Sequence, residues 1–146
     1  MNILCPVSHE KTNEKIVRYI ALVTFLIALV YIYNPNILIV TFLAIDFLAR
    51  GFGFSQFSLL SLSGTSLIDY IPFNSRRIDK APKIFAARIG FILSFLAIVL
   101  MFSNAVLASK VTIIVLAFFA LLEWSARFCM GCYIYSWIIL PYFSKR

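Results

Sequence analysis

Cys129 and Cys132 stand three residues apart in the stretch RFCMGCYIY, which runs from 127 to 135. On a helix, that spacing puts both thiols on one face. It serves thiol–disulfide exchange and also supplies half of a zinc-ribbon ligand set. Gly131 between them removes a side chain and lets another backbone or a partner come close. Arg127, two residues ahead of Cys129, favours the thiolate, the form that attacks disulfides and binds metals. Apolar surroundings oppose this by raising a thiol's pKa. Near the N-terminus, CPVSHE adds Cys5 and His9. Together Cys5, His9, Cys129 and Cys132 have the composition of a closed tetrahedral zinc site. A third reading is plainer, since cysteines in membrane helices also serve as small packing residues. One His and six Asp or Glu residues leave most hydrolytic mechanisms without parts, and no Ser-His-Asp set or phosphate-binding glycine loop is present.

The elements that must position these thiols are apolar. The 146-residue chain has a single domain's length, and 62% of it is hydrophobic against 13% charged. A soluble domain of this size could not hide so much apolar surface, so lipid must be part of the solvent. The net charge of +7 raises nucleic acid as a partner. Nucleic-acid binding needs a water-facing basic stripe, whereas these cations flank apolar runs. The expected partner is the bilayer. The segment MNILCPVSHEKTNEK has no signal-peptide order, because its long apolar run follows polar residues and ends without a small-residue cleavage site.

The pattern predicts an all-α integral membrane protein with four transmembrane helices, at about 16–33, 37–50, 84–102 and 111–128, in one domain over 1–146. Asn34-Pro35-Asn36 breaks the first two spans apart. The second is short, and works as a span if Arg50 snorkels to the surface. Residues 55–72 alternate Ser with Leu and Ile and read as an interfacial segment. Residues 129–143, rich in Tyr and Trp, read as a second one. Four spans place both termini on one side, and every one of the 13 Lys and Arg residues except Lys110 falls there. Positive-inside bias makes that side cytoplasmic and brings all three cysteines to it.

FLAIDFLARGFG (42–53) and FALLEWSARFCMG (119–131) share an order of aromatic, apolar run, acid, aromatic and Ala-Arg, and KIVRYIAL loosely matches KIFAARIGF. The match suggests a two-helix unit used twice. Asp46/Arg50 and Glu123/Arg127 are then equivalent acid–base pairs four residues apart on one helix face. Carboxylates so near lipid are expected to face the bundle and to pair, Asp46 with Arg127 and Glu123 with Arg50 when crossed. The plainer role for these four is to staple the bundle's cytoplasmic end; proton or substrate handling is the alternative.

CPV followed by NEKIVR, then LAIDFLAR, PKIFAARIGF and LLEWSARFCMGCYIY, resembles the bacterial membrane family called domain of unknown function 4395, over nearly the whole chain. The matching motif positions are Cys5, Asp46, Arg50, Pro82, Lys83, Phe85, Cys129, Gly131 and Cys132. The resemblance implies a bacterial inner-membrane location. It also implies an association with thioredoxin-like proteins, and hence thiol chemistry, with no defined activity.

The resulting expectation is thiol–disulfide or sulfur transfer at the cytoplasmic face. Cys129 and Cys132 form the exchanging pair, Cys5 is a third or resolving thiol and Arg127 stabilises the thiolate. A thioredoxin-like protein or a quinone carries the electrons, and a small bundle of this kind commonly forms a homodimer. The alternatives are a metal-binding protein holding zinc through Cys5, His9, Cys129 and Cys132, or a structural subunit with packing cysteines. Whether the chain is an enzyme, and what its cofactor is, stay open at this point.

Overall fold

Asn36 sets the first turn of the bundle. Its backbone is extended (φ −118°, ψ 131°) and its side-chain oxygen accepts from Leu38 N at 3.0 Å, so it caps a new helix just after Pro35, which cannot continue the helix before it. In the computed structural model this turn joins α1 (Glu14–Tyr33) to α2 (Ile37–Gly51). The structure describes residues 11–70, 77–79, 81–126, 137–138 and 140–143. After α2 come a 3₁₀ turn (Ser55–Phe57), α3 (Leu59–Asp69), α4 (Ala81–Phe102), α5 (Val106–Ala126) and a single turn, α6 (Leu140–Phe143). The α4–α5 connection is tight because Asn104 adopts the left-handed conformation (φ 59°), which Asn tolerates better than most residues. Helix α5 therefore starts at Val106, through polar residues around Ser109 and Lys110 that read as loop in the sequence.

Helices α1, α2, α4 and α5 form a closed ring. Helix α2 packs on α4, α4 on α5 and α5 on α1, while α1 and α2 touch more narrowly. Ala28, Ala97 and Ala117 line the interior with Tyr31, Val40, Leu43, Phe47, Ile113 and Leu116. Larger apolar residues face outward: Leu26 and Val30 on α1, Ile92 and Phe95 on α4, Ile114 and Phe118 on α5. In water this arrangement would be unstable, whereas in lipid it is the expected one. Among the described residues, three segments are long and apolar enough to cross a membrane: Lys15–Tyr33, Lys83–Phe102 and Val106–Ser125. Helix α2, at 15 residues, is about 22 Å long and is shorter than these.

One feature adds to the all-helical expectation. Strands β1 (Lys11–Asn13) and β2 (Arg77–Asp79) pair antiparallel, with Lys11 opposite Asp79, Thr12 opposite Ile78 and Asn13 opposite Arg77. Three residues are too few for a period-two pattern to show in a polar sequence. The ribbon ties the approach to α1 to the approach to α4.

Two glycines mark close helix approaches. A Cβ at Gly64 of α3 would lie 3.1 Å from Ile16 Cγ2 on α1. At Gly90 of α4 it would lie 2.5 Å from Cε1 of Phe47, a buried ring on α2. Gly90→Ala is therefore expected to push α4 away from α2 and lower stability by about 1–3 kcal/mol. The shift in denaturation midpoint of the detergent-solubilised chain measures this, and adding Phe47→Leu should restore part of the loss.

Candidate functional site: a buried charge cluster at one end of the bundle

Asp46 lies on the inner face of α2, one turn before its end, and is 4% exposed. Its two oxygens have separate duties. Oδ1 accepts from Ser58 Oγ at 2.6 Å and from Leu60 N at 3.3 Å. Ser58 Oγ in turn accepts from Ser61 N at 3.2 Å, so Ser58 caps the N-terminus of α3 and Asp46 backs that cap with a negative charge. Oδ2 lies 2.7 Å from Nη2 of Arg50, one helical turn further on. Arg50 also stacks its guanidinium 4.6 Å from the Phe47 ring centroid.

Arg50 connects this pair to the rest of the bundle. It interacts electrostatically with Glu123 on α5 as well as with Asp46, and Glu123 also interacts with Lys83 at the start of α4. Two acids and two bases from three helices thus neutralise one another at one end. Next to them, two arginines close helix C-termini. Arg88 of α4 donates from Nε to Gly51 O at the end of α2 (3.0 Å), and its guanidinium lies over the Phe52 ring. Arg18 of α1 donates from Nε to Trp124 O in the last turn of α5 (3.2 Å). Cations there also complement the helix dipole.

Of the residues singled out from sequence, Asp46, Arg50, Lys83 and Glu123 come together here. Cys5, His9, Arg127, Cys129, Gly131 and Cys132 lie outside the described residues, and so does the crossed pairing of Asp46 with Arg127. Pro82 falls in the first turn of α4, where its missing N–H is tolerated, and Phe85 follows in the same helix. Among the described residues, no group of three or more His, Cys, Asp and Glu could hold a metal ion.

The opposite end is held without charge, by groups that sequence reasoning did not single out. Tyr31 Oη and Ser109 Oγ lie 2.6 Å apart, both fully buried. Ser109 Oγ donates to Ala97 O at 2.9 Å, so its single proton is used and Tyr31 donates to Ser109. Met101 Sδ sits 3.6 Å from the same phenol oxygen. This chain stitches α1, α5 and α4. Ser58 was also missed, being one of many serines in a Ser-Leu alternation. In both cases the only sequence signal was a hydroxyl within an otherwise apolar stretch.

The family model described as Domain of unknown function (DUF4395) matches residues 12–139. No curated protein and no solved structure matches the chain.

Removing the Asp46 carboxylate leaves Arg50 buried beside Phe47 and strips the cap from α3. Asp46→Ala is expected to cost about 3–5 kcal/mol. Asp46→Asn should cost less, because its amide oxygen can still accept from Ser58 and Leu60. Hydrogen exchange provides the local readout: in both variants α3 amides should exchange faster, while the middle of α1 stays protected.

Proposed function

We propose that this chain, which belongs to DUF4395, a family described only as a domain of unknown function, performs thiol–disulfide exchange or sulfur transfer at the charged end of a four-helix membrane bundle. The observation that carries the reading is the Arg18–Trp124 contact, which docks the last turn of α5 beside the first turns of α1. Cys129 is three residues beyond Ala126, a reach of at most about 11 Å. Cys5 is six residues before Lys11, a reach of at most about 22 Å. Connectivity therefore supports a meeting of the three thiols at this end.

In this reading Cys129 and Cys132 exchange, Cys5 resolves, and Arg127 favours the thiolate. A thioredoxin-like protein supplies or removes the electron pair. Its disulfide is reduced to two thiols as the Cys129–Cys132 dithiol is oxidised, or the reverse. The cation distribution supports a cytoplasmic placement in the inner membrane of a bacterium, where the resting pair is a dithiol. Helix α2 serves as the fourth span: Leu38, Ile45 and Leu48 turn outward along it, and it runs between the ends marked by Asn36 and by the charge cluster. A duplicated two-helix unit is supported by the two broadest interfaces, α2–α4 and α1–α5, which exchange when α1 is swapped with α4 and α2 with α5. The same exchange relates the Arg88 contact with α2 to the Arg18 contact with α5.

Single-cysteine trapping tests the reading. With Cys5 and one thiol of the pair both removed, a mixed disulfide with the partner has no internal thiol to release it. Cys132→Ser or Cys129→Ser, each combined with Cys5→Ser and purified from cells under acid quench, should carry a reducible adduct of protein or small-thiol mass. Absence of an adduct in both variants, with wild-type thiol balance in the cells, would sink it. Stoichiometric zinc in a native preparation that disappears in Cys5→Ser and His9→Ala would instead favour the metal site of Cys5, His9, Cys129 and Cys132.

A further inference from the structure

Helix hydroxyls near lipid usually fold back on a carbonyl of their own helix. Four in this bundle do so: Ser63 to Leu60 O (3.0 Å), Thr65 to Leu62 O (2.9 Å), Ser103 to Val99 O (3.0 Å) and Thr112 to Ala108 O (2.9 Å). Thr24 on α1 and Ser94 on α4 behave differently. They are 2% and 0% exposed, and neither hydroxyl has a hydrogen-bond partner among the described residues. A buried, unpartnered hydroxyl is unfavourable, and in native proteins such groups are commonly satisfied by ordered water.

Their depth in the bundle gives them meaning. Tyr31 and Ser109 mark one end and Glu123 the other; Ser109 and Glu123 are 14 residues apart on α5, about 21 Å. Ser94 lies three residues from Ala97, the carbonyl that Ser109 engages, or about 4–5 Å along α4. Thr24 lies seven residues from Tyr31, about 10 Å along α1. The two hydroxyls therefore fall at successive levels between the polar ends. They belong to different helices of the ring, with small residues such as Ala28, Ala97, Ala117 and Ala120 buried around the interior. Ionisable groups buried in a membrane bundle, as Asp46 is here, mark ion and proton paths. Buried unpartnered hydroxyls such as Thr24 and Ser94 are the groups that ordered water satisfies.

We propose that Thr24 and Ser94 hold a file of water molecules that joins the Tyr31–Ser109 pair to Asp46 and Glu123 and conducts protons between the two ends of the bundle. A proton passed along the file is accepted by one of these carboxylates and released on the charged side; no redox step is involved. The charged groups facing the carboxylates are Arg50 from α2 and Lys83 from α4. The proposal is independent of the thiol reading.

The full chain in liposomes, with a pH-sensitive dye trapped inside and a potassium diffusion potential imposed, tests it. Wild-type vesicles should change internal pH faster than protein-free ones. Combining Thr24→Val with Ser94→Ala, which removes both hydroxyls without adding bulk, should cut the protein-dependent rate about tenfold or more, the kinetic equivalent of one lost hydrogen bond. Thr24→Ser should retain the rate, and Ser103→Ala, an exposed hydroxyl off the path, should leave it unchanged. Melting of the double variant within a few degrees of wild type separates lost flux from lost fold. Wild-type vesicles no faster than protein-free ones would overturn the proposal, whether or not the variant folds. So would a folded double variant that conducts like wild type, which would assign the hydroxyls to helix packing alone.

Discussion

A single carboxylate, Asp46, ties the start of α3 and the end of α2 to one point. One oxygen fixes the first turn of α3 through Ser58 and Leu60, and the other holds Arg50. Taking such a charge out of water is unfavourable by several kcal/mol, and only a full set of partners offsets that. The partners come from the 14 residues that follow it and from across the bundle, where Glu123 and Lys83 complete the neutralisation. Moving α2 along its axis, or losing α3, would leave charges unpaired in a medium that cannot solvate them. The register of α2 is set by this constraint.

The two ends of the bundle are consequently unlike. The charged end gathers Asp46, Arg50, Lys83 and Glu123, two arginine-capped helix termini, α3 and the small β1–β2 ribbon. The other end has tight turns and a neutral hydroxyl chain, Tyr31 to Ser109 to Ala97. Ion pairs and caps supply direction and register at the charged end, where interfacial water and headgroups can reach the rim. A neutral latch suits the other end, where Lys110 is the only basic residue near the turns among the described residues.

Much of this was legible in the sequence, for physical reasons. Long apolar runs reveal themselves because lipid tolerates little else. Asn34-Pro35-Asn36 marks a helix break, and a carboxylate four residues before an arginine marks a pair on one face. Asp46 and Arg50 thus appear in the sequence as a unit. The role of Ser58 does not, since nothing local separates it from its neighbours in SQFSLLSLSG, and its partner is 12 residues back. Lys83 stood out from the flanking cations through the family motif alone, and its interaction with Glu123 depends on how α4 packs. Tyr31 and Ser109 are 78 residues apart, and only the ring of helices brings them together. The ribbon was hidden because its strands are three residues each and polar.

The functional account rests on Cys129 and Cys132 being redox partners at the charged end. The most direct test is the intact mass of protein extracted anaerobically and alkylated under denaturing conditions, with and without prior reduction, after exposure to oxidised and reduced thiol buffers. The account predicts that both cysteines label freely in the reduced buffer. In the oxidised buffer they should label only after reduction, with a pair mass two hydrogens lighter. If both label equally in either buffer and carry no sulfur adduct, the pair does not exchange and the account is contradicted.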